Sequence, residues 1–297
     1  MYCADIGGSF VKLGIADKPG EMRSLGQVPN PTRDWPALVS LLREFTASAP
    51  PGMPLAISIA GPVDPVTHVV PLANIPCADG RRLGPELEVL LDRPVLVAND
   101  ADCFALAEAM LGSGKGHPVV FGIILGTGVG GGLVANGRLV RGAGGITGEW
   151  GHGPIQPRML SDGTRIEPFR CGCGRMGCTD AFGSARGLEK THVALGCEPA
   201  DSRAIIDAWQ TGQPEAARSV RAYVEMLAGP LGLAINLTGA SVVPVGGGLG
   251  GSAPLLAALN AELAPRIFHK GAPILVPATH GNMAGLLGAS LLGSGAL

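Results

Sequence analysis

The sequence predicts an α/β protein of two domains. Its 297 residues suffice for one large or two medium α/β domains, each burying its own core. Short apolar runs of strand length alternate with longer stretches of helical period. Each half also opens on two strand-like runs joined by glycines, so the same hairpin theme occurs twice.

In chain order, Tyr2 to Ile6, the Gly7-Gly8 turn and Val11 to Ala16 read as the first hairpin. Leu55 to Ala60 and Val95 to Ala98 have the continuous apolar character of buried strands, and Ala101 to Leu111 carries helical spacing behind an Asn-Asp start. Val119 to Leu125 and Val129 to Ala135 form the second hairpin, and Asn136-Gly137 turns the chain into a third strand. Helices are expected at Ser184 to Leu195, Ser202 to Thr211, Glu215 to Leu237 and Pro254 to Pro265. A strand from Ser241 to Val245 runs into Gly246-Gly247-Gly248, and Met283 to Leu292 makes a closing helix. The domain boundary is expected near Gly112 to Pro118. Residues 1–115, with the C-terminal helix at about 282–297, form the smaller domain and residues 116–281 the larger, with a cleft between them.

Composition narrows the function. With 22 Lys and Arg against 24 Asp and Glu, the net charge is −2, which indicates neither a nucleic-acid surface nor a polybasic membrane patch and favours small partners. The 47 glycines have no collagen period, so their excess belongs to tight turns and to backbone that approaches a ligand. Val119 to Leu125 and Leu286 to Leu292 fall short of the about 20 apolar residues that a membrane span requires. The N-terminal MYCADIGG lacks the pattern of a secretory signal, so the cytosol is the expected compartment. Seven cysteines in a reducing compartment argue against a disulfide framework.

Three glycine-rich turns carry the first chemical signal. Asp5-Ile-Gly7-Gly8-Ser9 is followed by Lys12, Gly126-Thr127-Gly128-Val-Gly130 forms the second turn, and Gly246-Gly247-Gly248 the third. Glycines let backbone N–H groups reach polyphosphate oxygens, hydroxyls add donors, and a carboxylate beside them can hold Mg²⁺ through water. Neither of the first two matches the P-loop pattern, and Gly126 to Gly131 is no dinucleotide fingerprint because strand rather than helix is expected after it. Each alone could be an ordinary hairpin turn; the set of three favours a nucleotide. Asn99 and Asp100 stand at a strand exit and a helix mouth, where a carboxylate can accept a proton from a substrate hydroxyl. A plain helix cap is the alternative.

Residues 170–178 read RCGCGRMGC. Zinc takes four soft or borderline ligands in a tetrahedron; Cys171, Cys173 and Cys178 supply three, and His152, in Gly148-Glu149-Trp-Gly-His152, is the best candidate for the fourth. Reactive or simply buried thiols, including a redox switch, are the alternative. Pro154, Pro157 and Pro168 make the intervening stretch a loop. Cys3, Cys77, Cys103 and Cys197 are scattered and expected in the core.

Taken in order, Asp5-Ile-Gly-Gly-Ser-Phe-Val-Lys12, Asn99-Asp-Ala-Asp102, Leu125-Gly-Thr-Gly-Val-Gly-Gly-Gly132, Gly148-Glu-Trp-Gly-His152, the cysteine cluster and Val245-Gly-Gly-Gly248 resemble the signatures of the ROK family of bacterial sugar kinases and sugar-responsive repressors. The resemblance implies the actin-like ATPase (ribonuclease H-like) fold, two α/β domains closing over ATP and a sugar, commonly in a homodimer. It implies Asp100 as the general base, Asn74, Asn99, Glu149, His152 and Asp180 as sugar ligands, Asp5 near Mg²⁺, the glycine loops around ATP, and a structural Zn²⁺ that fixes the His152 ring. The repressors carry a helix-turn-helix ahead of the Asp-x-Gly-Gly loop; here that loop begins at residue 5, so the enzyme is expected. Asn74-Ile-Pro-Cys-Ala-Asp-Gly80 and Asn99 to Glu108 look most like the family's N-acetylglucosamine kinases, which implies phosphorylation of the 6-hydroxyl of N-acetyl-D-glucosamine. Glucose, N-acetylmannosamine and fructose stand behind it, and a non-catalytic sugar sensor is the alternative of another class. Three positions depart from the family pattern. Ser9 replaces Thr and keeps the hydroxyl. Asp102 replaces Asn and would raise the Asp100 pKa if the two were close. Asp180 replaces a sugar-binding Glu and, one methylene shorter, would reach the sugar through water.

Overall fold

The computed structural model describes residues 1–153, 159–268, 271 and 274–294. Pro154 and Pro157 of the expected loop, and the last three residues of the expected C-terminal stretch, lie outside the described residues. The elements in chain order are β1 (Tyr2–Ile6), β2 (Phe10–Lys18), β3 (Glu21–Pro29), α1 (Trp35–Phe45), β4 (Leu55–Ile59), β5 (Val69–Val70), β6 (Arg81–Arg82), α2 (Leu83–Leu91), β7 (Val95–Asn99), α3 (Asp100–Leu111), β8 (Val119–Leu125), β9 (Val129–Ala135), β10 (Arg138–Leu139), α4 (Thr179–Gly183), α5 (Ala185–Ala194), α6 (Ser202–Gln210), α7 (Pro214–Thr238), β11 (Val243–Gly246), α8 (Gly247–Gly250), α9 (Ala253–Leu263), β12 (Leu275–Pro277) and α10 (Ala284–Leu291). Among the described residues no helix is long and apolar enough to cross a membrane.

The chain forms two compact units. The first comprises Met1–Lys115, Gly132–Thr147 and the C-terminal stretch from Asn282; the second comprises Gly116–Gly131 and Gly148–Gly281. The segment Gly132–Thr147, expected in the larger domain, therefore belongs to the first unit. The reason is local: Gly132 lies against α3 so closely that an added Cβ would meet the Ala101 carbonyl at 2.6 Å and the Ala105 methyl at 2.9 Å.

The sheet of the first unit has the order β3-β2-β1-β4-β7. β1 and β2 pair antiparallel, as the first hairpin requires, whereas β1, β4 and β7 run parallel. Their continuous apolar runs suit a sheet covered on both faces. Tyr2, Ala4, Ile6, Leu55, Ile57 and Ile59 join one core with Leu38 and Leu42 of α1 and Leu83 and Leu87 of α2. By strand alternation the intervening residues, Asp5 and Ser58 among them, point to the other face, where α10 packs on β1 and β4 and against α3. That packing depends on glycine: a Cβ at Gly288 would collide with the Cys103 carbonyl of α3. α1 begins on Asp34, whose carboxylate accepts from the Ala37 N–H, with a proline in its first turn.

In the second unit β8, β11 and β12 are parallel, with Gly246 opposite Ile124. The β9–β10 hairpin, whose turn belongs to the first unit, turns at Asn136 and Gly137, both with positive φ (50° and 76°), the twist a two-residue turn prefers. α4 is fixed on the long helix α7: Tyr223, fully buried, donates its hydroxyl to the Gly183 carbonyl at 2.7 Å, and a Cβ at Gly183 would press on Leu227 at 2.7 Å. Phe169 and Phe182 stack at 4.7 Å beside it. Of the four scattered cysteines, Cys3 and Cys103 are buried, whereas Cys77 and Cys197 are half-buried. Cys77 only flanks the first core, and Cys197 follows the end of α5.

The close approach at Gly288 predicts that Gly288→Ala lowers the urea midpoint by the equivalent of about 1–3 kcal/mol. Gly229→Ala, whose methyl would meet nothing within 4 Å on α7, should leave stability unchanged or raise it by about 0.5–1 kcal/mol.

Candidate active site

In the first unit the register of the parallel strands gathers the polar residues. Asp5 lies opposite Ser58, Ser58 opposite Ala98, and Asn99 and Asp100 follow at the carboxyl end of β7. Ligands of open α/β sheets bind at this end of the strands. Each oxygen of the Asp5 carboxylate has one partner in the protein: the Ser58 hydroxyl donates to Oδ1 at 2.8 Å and Lys12 Nζ to Oδ2 at 3.1 Å, while Lys12 also donates to the Asn282 carbonyl at 3.1 Å. Gly285, in the first turn of α10, leaves room for this carboxylate; a Cβ there would lie 2.7 Å from it.

The Gly7-Gly8 turn closes through the Gly7 N–H to the Phe10 carbonyl at 3.0 Å. Asn30, which the sequence reading did not single out, braces it, donating from Nδ2 to the Gly7 carbonyl at 2.6 Å and from its N–H to the Ser9 carbonyl at 2.9 Å. Gly8 and Ser9 are exposed, as is Asn74, whose Cβ is 3.5 Å from where a Cβ on Gly8 would sit. Asn99 is the N-cap of α3, its Oδ1 accepting from Ala101 N–H at 2.8 Å and Asp102 N–H at 3.3 Å. The capping role is therefore real, and it fixes Asp100 at the first helical position, with Oδ1 2.9 Å from the Ala101 N–H. Asp102 is buried on α3.

In the second unit the other two glycine turns stand side by side at the ends of β8 and β11. Gly247 has φ +82°, and a Cβ there would collide with the Leu125 carbonyl; only glycine accepts both constraints. The first of these turns closes from Gly126 N–H to Gly128 O at 3.0 Å and is held by Ala185 N–H to Gly126 O at 2.8 Å. Thr127, Gly128, Gly247 and Gly248 are exposed, and Gly130 is half-buried, its carbonyl accepting from Trp150 Nε1 at 3.0 Å. A cavity of ≈ 550 Å³ opens beside Gly248 and Leu249, walled by Arg203, Asp207 and Gln210 of α6 and Ser252. It is large enough for a small organic ring system.

The cysteine cluster assembles as expected. The ligand atoms of His152, Cys171, Cys173 and Cys178 all lie within 4.8 Å of one another. Cys173 and Cys178 sulfurs are 3.6 Å apart and the Cys171 sulfur is 3.7 Å from His152 Nδ1. A tetrahedron with zinc–sulfur arms of about 2.3 Å has edges of about 3.8 Å, so the donor set and its spacing fit Zn²⁺. The thiols differ in environment. Burial pushes Cys171 up to about 12, whereas the backbone N–H of Arg175 draws Cys173 down to about 6. The positive charge of a bound ion would hold all three as thiolates.

The imidazole is shared between two environments. Nδ1 faces the sulfurs, and Nε2 lies 3.7 Å from Glu149 Oε2. The turn that brings them together is closed by His152 N–H to Glu149 O at 3.1 Å. A ligated Nδ1 leaves the proton on Nε2, so the exposed nitrogen is a fixed donor. Asp180 is the second residue of α4, two residues after Cys178. Its Oδ1 accepts from the Val129 N–H at 2.8 Å and its Oδ2 from the Cys171 thiol at 3.4 Å, while its own N–H donates to Gly151 O at 2.7 Å.

Comparison with known proteins places the sequence. The ROK family model matches residues 1–295. N-acetyl-D-glucosamine kinase of Citrobacter koseri is 34% identical over 98% of both chains. The ROK hexokinase of Thermus thermophilus superposes with a TM-score of 0.82 at 31% identity, over 98% of this chain and 97% of that one. A ROK glucokinase of Streptomyces griseus, solved with glucose and AMPPNP, superposes at 0.76 with 28% identity over 97% of both. The fold is that of the actin-like ATPases, with two α/β units.

Purified without chelators, the protein should carry about one equivalent of zinc by elemental analysis. Cys178→Ser, which removes a buried ligand, should retain less than half an equivalent; wild-type protein with less than half would favour the redox alternative.

Proposed function

The chain belongs to the ROK family, and from that premise we propose that it is an ATP-dependent kinase that phosphorylates the 6-hydroxyl of N-acetyl-D-glucosamine. The observation that carries the proposal is the position of Asp100, held by the Asn99 cap at the end of a parallel strand, on the sheet edge that also bears Asp5. The 34% identity to an N-acetyl-D-glucosamine kinase over 98% of both chains supports the choice of sugar.

In this reading Asp100 accepts the proton of the 6-hydroxyl as its oxygen attacks the γ-phosphorus, and ADP leaves. Asn74, Asn99, Glu149 and His152 bind the other sugar groups, with His152 donating from Nε2. Positioning and charge neutralisation supply most of the catalysis in such a transfer. Mg²⁺ neutralises charge on the β- and γ-phosphates when bound. Asp5, with Gly7, Gly8, Ser9 and Lys12, would serve the phosphates and the ion, as would the turns at Gly126 to Gly130. Gly246 to Gly248 and the adjoining cavity suit the nucleoside. Zn²⁺ is structural. The protein is further read as a cytoplasmic homodimer acting on small molecules and not on nucleic acid. A second reading, a glucose kinase, is supported by the similarity to the Streptomyces griseus glucokinase solved with glucose.

A coupled ADP-release assay with N-acetylglucosamine, N-acetylmannosamine, glucose and fructose tests the sugar, with the highest kcat/KM expected for N-acetylglucosamine; turnover with none of them would remove the kinase reading. Asp100→Asn should lower kcat by about 10²- to 10⁴-fold while leaving sugar affinity nearly unchanged. Full activity in that variant would show the base to lie elsewhere.

A further inference from the structure

We propose that Asp180 is a positioning residue for the Gly126–Gly128 turn, and not the direct sugar ligand that its place in the motif implies. The role as it bears on substrate rests on the kinase reading above.

The argument begins with reach. Asp180 stands in the first turn of α4, and α4 is fixed from below by the Tyr223 hydrogen bond to Gly183 and by the close packing of Gly183 on Leu227. Its backbone N–H is held by Gly151 O at 2.7 Å. From that anchored backbone the short side chain delivers Oδ1 to the Val129 N–H at 2.8 Å. This is a charge-assisted bond, stronger than a neutral one. The carboxylate also lies against the turn itself, since a Cβ on Gly128 would be 3.0 Å from Oδ1. The glycine at 128 and the aspartate at 180 thus fit each other.

The bond closes a frame around the turn. Ala185 N–H holds its start at Gly126 O, Gly126 N–H spans it to Gly128 O, and Asp180 holds its end at Val129. Two of these three anchors come from one stretch, Asp180 to Ala185, so the turn takes its shape from α4 and the residue that opens α5. Thr127 and Gly128 remain exposed at the tip. A turn fixed before a phosphate arrives binds it with less ordering cost.

The other oxygen does not change this. Oδ2 is 3.4 Å from the Cys171 sulfur. The bond to Val129 is made through Oδ1 and does not depend on this contact. A glutamate at 180 would carry its carboxylate about 1.5 Å farther along the side chain, past the Val129 N–H, and would free it for another partner. The one-methylene difference therefore exchanges a ligand for a brace.

Asp180→Ala, Asp180→Asn and Asp180→Glu, each first checked for zinc content equal to wild type, test the proposal. Amide hydrogen exchange at Val129 reads the brace without any substrate: protection should fall about tenfold or more in Asp180→Ala and return in Asp180→Asn, which keeps an acceptor oxygen. In the kinase assay, Asp180→Ala should raise KM for ATP about tenfold and change KM for the sugar less than about twofold, with Asp180→Asn recovering most of the loss. Unchanged Val129 exchange in Asp180→Ala would overturn the brace. A rise confined to the sugar KM would restore the role of direct sugar ligand. If no sugar is turned over, the kinase reading fails, and the exchange result still decides whether Asp180 braces the turn.

Discussion

Parallel strand register is the constraint on which the chemistry of each unit depends. In the first unit it sets Asp5 beside Ser58 and lets β7 end on Asn99, with Asp100 opening α3, at the same sheet edge. In the second it sets the exits of β8 and β11 together, so that Gly126 and Gly247 are adjacent turns. Because side chains alternate, a slip of one residue in β1 would turn Asp5 into the apolar core and bring Ile6 out in its place. The large apolar residues on the core face, Ile6, Ile57 and Ile59 among them, oppose that slip. Packing that holds the fold thus also fixes where the carboxylates point.

The thiolate cluster acts by a different route. It touches one ring nitrogen of His152 and leaves the other beside Glu149. With a metal ion on Nδ1, the ring would keep a single tautomer. The same short stretch, from Phe169 through α4, carries the cysteines, the aromatic stack with Phe182 and the Asp180 carboxylate. The cysteines of the candidate metal site and two anchors of the glycine turn therefore lie on one continuous stretch of chain.

Much of this was legible in the sequence. The five helices read from Ser184 onward, including the closing one, recur within two residues at every end, because each has a sustained apolar period and a recognisable start or stop. α1 carried signals that could have found it, with Asp34 before Pro36 and Leu38, Val39 and Leu42 on one side. β3 exposes nearly every residue, so it has no alternation to read, and α4 is too short for a period. The three cysteines of the candidate metal site were legible from the Cys-x-Cys-x₄-Cys spacing, and His152 from its place between a Glu and that cluster. Which nitrogen of His152 turns inward was not, since the loop geometry decides it. Ser58 and Asn30 were missed because their partners, Asp5 and Gly7, are neighbours only through sheet pairing and a returning chain. Asp180 was placed by family pattern, whereas its bond to Val129 follows from side-chain length.

The central claim is that Asp100 takes the proton of the acceptor hydroxyl while His152, fixed through Nδ1, orients the same sugar. A crystal structure of zinc-replete protein with N-acetylglucosamine and a non-hydrolysable ATP analogue tests it most directly. The account predicts the 6-hydroxyl within hydrogen-bonding distance of the Asp100 carboxylate, at about 2.5–3.0 Å, and another sugar hydroxyl on His152 Nε2. A sugar bound with its 6-hydroxyl away from Asp100, or touching neither residue, would contradict it.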